Sequence, residues 1–211
     1  MPIFTGAVNS NWGTAGNWDT GVLPSATLAG TDAIFNASSP NCTVNITTAV
    51  CRNLNFTGYT NTITMTNTII VGSTSAANPN HTVPLSSTMG ISGTGSIQTR
   101  ANGTTSLRSN GQTWPNAFGI ANLTVAASPT VTLLDNWTIS GNLFIGPGGA
   151  ANITFSGAFT INAGASVTLQ ISGTNGRVAA TAGSISTIKM TGTGTYASSG
   201  ITANGGLGLN L

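Results

Sequence analysis

Apolar and polar residues alternate along this chain in short runs, and many of the runs end at glycine. The recurring unit reads apolar, any residue, apolar, Ser or Thr, Gly. It occurs as Leu54-Asn55-Phe56-Thr57-Gly58, Met89-Gly90-Ile91-Ser92-Gly93 and Trp137-Thr138-Ile139-Ser140-Gly141. It returns as Ile153-Thr154-Phe155-Ser156-Gly157, Leu169-Gln170-Ile171-Ser172-Gly173 and Ile188-Lys189-Met190-Thr191-Gly192. A period of two puts alternate side chains on one face of a strand, and the closing Gly suits a corner. Second strands of the same type lie between copies, such as Leu143-Phe144-Ile145 and Phe159-Thr160-Ile161. No stretch carries the 3.6-residue period of an amphipathic helix. The pattern predicts an all-β chain.

The closing glycines stand at 58, 93, 141, 157, 173 and 192, at intervals of 35, 48, 16, 16 and 19 residues. These fit a repeat of roughly 16–19 residues, enough for a coil of two or three short strands. The expected fold is a right-handed parallel β-helix (a β-solenoid) of about eight coils, roughly 40 Å long at the strand spacing of about 4.8 Å. The alternative is a β-sandwich or jelly roll, in which short strands also recur every 8–12 residues or so. Residues 1–40 differ from the rest. Asn11-Trp12, Gly16-Asn17-Trp18-Asp19, Gly21-Val22-Leu23-Pro24 and Thr31-Asp32-Ala33-Ile34-Phe35 follow one another there. An open first coil would expose apolar surface and unpaired strand edges. Residues 1–40 are therefore expected to cap one continuous domain whose coils occupy 41–211.

Composition narrows the function. Charged residues make up 4% of the 211, against about 25% in ordinary globular proteins. Glu is absent; the acids are Asp19, Asp32 and Asp135, and the bases Arg52, Arg100, Arg108, Arg177 and Lys189. The bases form no cluster that could neutralise phosphates, so nucleic acid is not an expected partner. No apolar run reaches the roughly 20 residues of a membrane span. Met1-Pro2-Ile3-Phe4-Thr5-Gly6 lacks the basic and apolar regions of a secretory signal, which predicts use without Sec export. Without export, Cys42 and Cys51 are expected as two small buried hydrophobes in neighbouring strands rather than a disulfide. A neutral surface of hydroxyls and amides can pack against copies of itself at little desolvation cost.

The opening Asn-Trp, the Gly-x-x-Pro turn and the Asp-x-Ala-x-Phe strand, followed by Thr-rich strands, resemble the first coil of parallel β-helix proteins. Autotransporter-type adhesin passengers and β-helical phage virion proteins share that pattern. Cys42-Thr43-Val44 through Cys51–Tyr59 is similar to stretches of phage structural proteins, as are Asn110–Pro115 and Leu133–Thr138. The resemblance implies a bacteriophage virion structural protein. It further implies a homotrimer, with a lean toward a head decoration (cement) protein on the major capsid protein, assembled in the host cytoplasm. A tail fibre or tailspike segment and a secreted β-helix adhesin are the alternatives.

Enzymatic chemistry is not expected. Glycan-cleaving β-helices need clustered carboxylates. Here Asp19 and Asp32 belong to the cap motif, where a carboxylate binds turn N–H groups, and Asp135 reads as a corner residue. The only histidine, His81, lies in Asn78-Pro79-Asn80-His81-Thr82-Val83-Pro84 and is expected in an exposed loop. No nucleophile motif accompanies it. The Cys and His spacing fits no metal site, so no catalytic residue, cofactor or metal is assigned. Trp114 and Trp137 could stack on a sugar, but core or interface packing is the expected role.

Overall fold

The computed structural model describes residues 1–25, 31–72, 81–100, 104–114, 118–121, 130–135 and the strands beyond. Side-chain surroundings are described for 1–25, 31–72, 81–99, 105–114 and 134–135. The strands are short and fall into triplets. The first triplets are β1 (Ala33–Ile34), β2 (Cys42–Val44) and β3 (Thr48–Cys51), then β4 (Leu54–Asn55), β5 (Thr62–Met65) and β6 (Thr68–Val71). Next come β7 (His81–Pro84), β8 (Gly90–Gly93) and β9 (Ile97–Arg100), then β10 (Thr104–Arg108), β11 (Thr113–Trp114) and β12 (Phe118–Ala121). They are followed by β13 (Thr130–Leu133), β14 (Trp137–Ile139) and β15 (Leu143–Ile145), then β16 (Asn152–Ser156), β17 (Phe159–Ala163) and β18 (Leu169–Ser172). The last are β19 (Arg177–Ala180), β20 (Ser186–Met190) and β21 (Tyr196–Ser199).

Strands pair with the strand three places on, and every strand pairing among the described residues is parallel; the isolated bridge Phe4–Trp18 in the N-terminal segment is antiparallel. The longest sheet runs β3-β6-β9-β12-β15-β18-β21. A second runs β7-β10-β13-β16-β19, and β4 leads into it through the bond from Phe56 N to Pro84 O (3.0 Å). The third wall holds β2-β5-β8 and then β11-β14-β17-β20. The protein is thus all-β, and its described strands stack three to a tier in parallel sheets. Parallel strand pairing sets it apart from an antiparallel sandwich.

The repeat is longer than the glycine spacing predicts. Cys42 pairs with Ile63 and Ile63 with Ile91, offsets of 21 and 28 residues. Later, Phe118 pairs with Leu143 and Leu143 with Leu169, offsets of 25 and 26. The motif copies end β14, β16, β18 and β20, so each interval near 16 spans two strands of a three-strand tier. Among the described residues the strands make seven triplets, and six strand spacings make the longest sheet about 29 Å across.

Period two decides burial. In β5, Ile63 and Met65 are buried while Thr62 and Thr64 are half-buried; in β3, Ala49 and Cys51 are buried. Register then stacks like on like, as in Ala49–Ile69–Ile97 and Val83–Leu107. The N-terminal segment closes the first tier. Ile3 bridges Ile34 of β1, and Asn11 bridges Thr43 of β2. Beneath it, Phe4, Trp12, Trp18, Phe35, Phe56 and Tyr59 form a buried aromatic cluster. β1 itself lies inside the 1–40 segment and pairs in parallel with β4.

Candidate functional site

Where a strand ends at a corner, the backbone ladder stops, and side-chain amides take over the bonding between tiers. Thr62 N donates to Asn41 Oδ1 (2.9 Å), and Asn61 Nδ2 to the Ser39 carbonyl (2.8 Å). Asn67 Nδ2 reaches the Val44 carbonyl (3.2 Å), and Asn110 Nδ2 the Leu85 carbonyl (2.6 Å). Gln112 Nε2 donates to the carbonyls of Ser86 and Met89, both at 3.0 Å. Each partner lies about one tier away in sequence. An amide carries both donor and acceptor, so it can continue a ladder in either direction.

The most polar corner joins three tiers. Asp32 Oδ1 accepts from Arg52 Nε and from Asn53 Nδ2, both at 2.8 Å. Asn53 Oδ1 in turn accepts from Thr82 N at 2.8 Å. Arg52 N donates to the Thr31 carbonyl (3.0 Å). The Asp32 side chain is 11% exposed and that of Arg52 27%. The carboxylate bond raises the Arg52 pKa. A carboxylate already holding a guanidinium and an amide is a poor general base, so the corner is built for cohesion. Asp32 thereby departs from the expected turn N–H role, because its donors are side chains some twenty residues on.

His81 overturns its expected place in an exposed loop. It opens β7, is 1% exposed, and pairs in register with buried Thr105. Strand alternation explains this: Val83, two residues on, is buried, while Thr82 between them is exposed. The imidazole bonds the backbone of Arg52. Burial, first of all, lowers its pKa, and the Arg52 charge lowers it further. The Arg52 backbone bond and the Asp32 charge act the other way.

The other carboxylates are engaged elsewhere. Asp19 Oδ1 accepts from Ile3 N (2.8 Å) in the cap. Asp135 accepts from Ser109 N (2.7 Å) and Asn110 N (2.6 Å), as a corner residue does. Asp32 precedes β1 and Asp135 follows β13. Four strand spacings separate those tiers, about 19 Å, beyond the roughly 5–10 Å of a glycosidase pair. Among the described residues no group of three or more His, Cys, Asp or Glu gathers as metal ligands. Cys42 and Cys51 are both buried free thiols, in the successive strands β2 and β3. Trp114 is fully buried in the core cluster. The Trp137 side chain lies outside the described residues.

Two features went unread in the sequence: the inter-tier amides above, and rows of hydroxyl residues in register. Thr64 Oγ1 and Ser92 Oγ share a bond of 3.0 Å, and Thr68 Oγ1 and Ser96 Oγ one of 2.9 Å. On the β7 sheet, exposed Thr82 and half-buried Ser106 are register partners. That row continues in register through Thr132 and Ser156, beside Thr104, Thr130 and Thr154. No family model, curated protein or solved structure matches this chain.

Proposed function

We propose that the chain is a non-enzymatic structural protein of a bacteriophage particle, a homotrimeric head decoration that seats on the major capsid protein. Its tiers wind as a right-handed parallel β-helix. The observation that supports this reading best is the register row Thr82–Ser106–Thr132–Ser156, with Thr104–Thr130–Thr154 beside it. Seven neutral hydroxyl residues, without a charge among them, repeat at the strand spacing. Exposed Arg108, two residues beyond Ser106 on the same face of β10, lies outside this block, and the hydroxyl block itself can lie against a neighbouring copy without stripping solvent from ions. Parallel strands cross-tied at the corners also make a stiff body, which suits a part whose task is to hold others together.

The test has two steps. Light scattering after size exclusion, with an unboiled detergent gel alongside, is expected to give a detergent-resistant trimer; a clean monomer would overturn the trimeric reading. Co-sedimentation with capsids stripped of decoration is expected to follow. Binding to bacterial cells but not to capsids would replace the head role with a fibre segment or an adhesin.

A further inference from the structure

The only histidine of the chain is buried at the corner that ties the first three tiers together. Its first-tier neighbour is Asp32, its second-tier neighbours are Arg52 and Asn53, and Thr105 of β10 lies beyond it in register. Among the described residues, Asp32 and Arg52 are the charged groups that act on it. Asp32 is already shared between Arg52 Nε and Asn53 Nδ2. The next residue, Thr82, hangs its backbone N–H on Asn53. A chain of 2.8 Å bonds therefore runs Asp32–Asn53–Thr82 across three tiers, with His81 packed beside it.

We propose that His81 makes this corner an acid-sensitive joint: proton uptake by the imidazole opens the first tier and uncovers the aromatic cluster beneath the N-terminal segment. A second cation beside Arg52, in a site closed to water, has no free counter-ion to turn to. Opening lets the imidazolium reach solvent, and it frees Thr82 and Asn53 together. The sign follows from burial. The closed state holds the pKa below the value of about 6.5 for an exposed histidine, so the opened state binds the proton more tightly. The joint is at full strength above about pH 6.5 and weakens as pH falls below it. This inference is independent of what the protein is attached to.

Two measurements on the full chain test it. With one histidine, the imidazole Cε1 proton gives one assignable NMR resonance, and its titration midpoint is expected below that of an exposed histidine. A midpoint at or above that value would overturn the proposal. Hydrogen exchange, corrected for intrinsic rates, is expected to show amides of residues 1–40 exchanging about fivefold faster or more at pH 5 than at pH 7.5. His81→Gln, which keeps a neutral donor at every pH, is expected to flatten that dependence. An unchanged dependence in His81→Gln would overturn the proposal by pointing to carboxylate titration instead. Should that variant not fold, the NMR midpoint and the wild-type exchange profile decide alone: a loss of protection that does not follow the imidazole titration would overturn the proposal.

Discussion

The indole N–H of Trp18 donates to the carbonyl oxygen of Trp12 at 2.9 Å, and the two rings meet edge to face with centroids 5.0 Å apart. One tryptophan thus fixes the other's backbone while sharing its ring surface. The partner's own Nε1 is buried and finds no protein acceptor among the described residues. The two residues should therefore respond differently to the same change. Trp18→Phe loses a buried bond and leaves the Trp12 carbonyl bare, at about 1–3 kcal/mol. Trp12→Phe removes an N–H that had no protein acceptor and should cost less. Truncation of either to Ala should cost about 3–5 kcal/mol. Urea midpoints of the four variants rank them, and equal losses for the two Phe variants would refute the assignment.

Asn17 is the hub of the same cap. Its Oδ1 accepts from Val8 N and Asn9 N, both at 2.9 Å, and its Nδ2 donates to Asn9 Oδ1 (2.8 Å) and the Asn11 carbonyl (2.7 Å). It is completely buried. Asn17→Ala should cost about 3 kcal/mol by leaving those groups unpaired. Asn17→Asp keeps the acceptor but turns an oxygen toward two oxygens. Burial and those lone pairs favour the protonated form of the introduced carboxyl. The variant should therefore recover stability, relative to wild type, as pH falls and the carboxyl gains an O–H to donate. Thermal melts of both proteins from pH 7 to pH 4 measure this, and a stability gap that widens on acidification would contradict it.

These residues mark what the sequence makes legible. Alternation reveals the strands because Ile63 and Met65 must face inward together, whatever the fold. The Asn-Trp and Gly-Asn-Trp-Asp motifs reveal a cap because large rings need cover. The repeat length is misread because the motif Leu-x-Phe-Thr-Gly and its kin fall on every second strand, and a tier has three. His81 is misread from its Pro and Asn neighbours, although its spacing from Val83 carries the inward signal. The pairing of Asn53 with Asp32 and Thr82 is not legible at all until the tier length is known, since neither partner is local.

Glycine positions separate close approach from mere turn geometry. At Gly95 a Cβ would lie 2.2 Å from the Asn67 carbonyl oxygen, and at Gly93, with φ +90°, 2.2 Å from that of Met65. Both obstacles are backbone of the preceding tier, which cannot step aside without breaking the ladder. Gly58 has φ +77° but open space around it. Gly58→Ala should then cost only the left-handed penalty, about 1–2 kcal/mol. Gly95→Ala and Gly93→Ala should each lose well over that, about 3 kcal/mol or more, or fail to fold. Denaturant titration of the three variants tests the ranking, and a Gly95→Ala protein as stable as Gly58→Ala would show that tiers can part at this corner.

The two thiols should be chemically silent in the folded protein. Cys42 stacks on Ile63, and Cys51 on Val71. Burial pushes both thiols far above the ordinary cysteine range, and for Cys51 the nearby Asp32 charge adds to the shift. Only the thiolate reacts at a useful rate, so modification has to wait for opening. Native protein at pH 8 should resist a thiol reagent for hours, while denatured protein takes up two equivalents at once. The labelling rate in mild urea should then report the stability of the first tier, to which both strands belong. If Cys51 alone labels quickly while Cys42 stays protected, the Asp32 corner opens independently of the rest; rapid native labelling of both would mean that the aromatic cluster does not seal this end of the core.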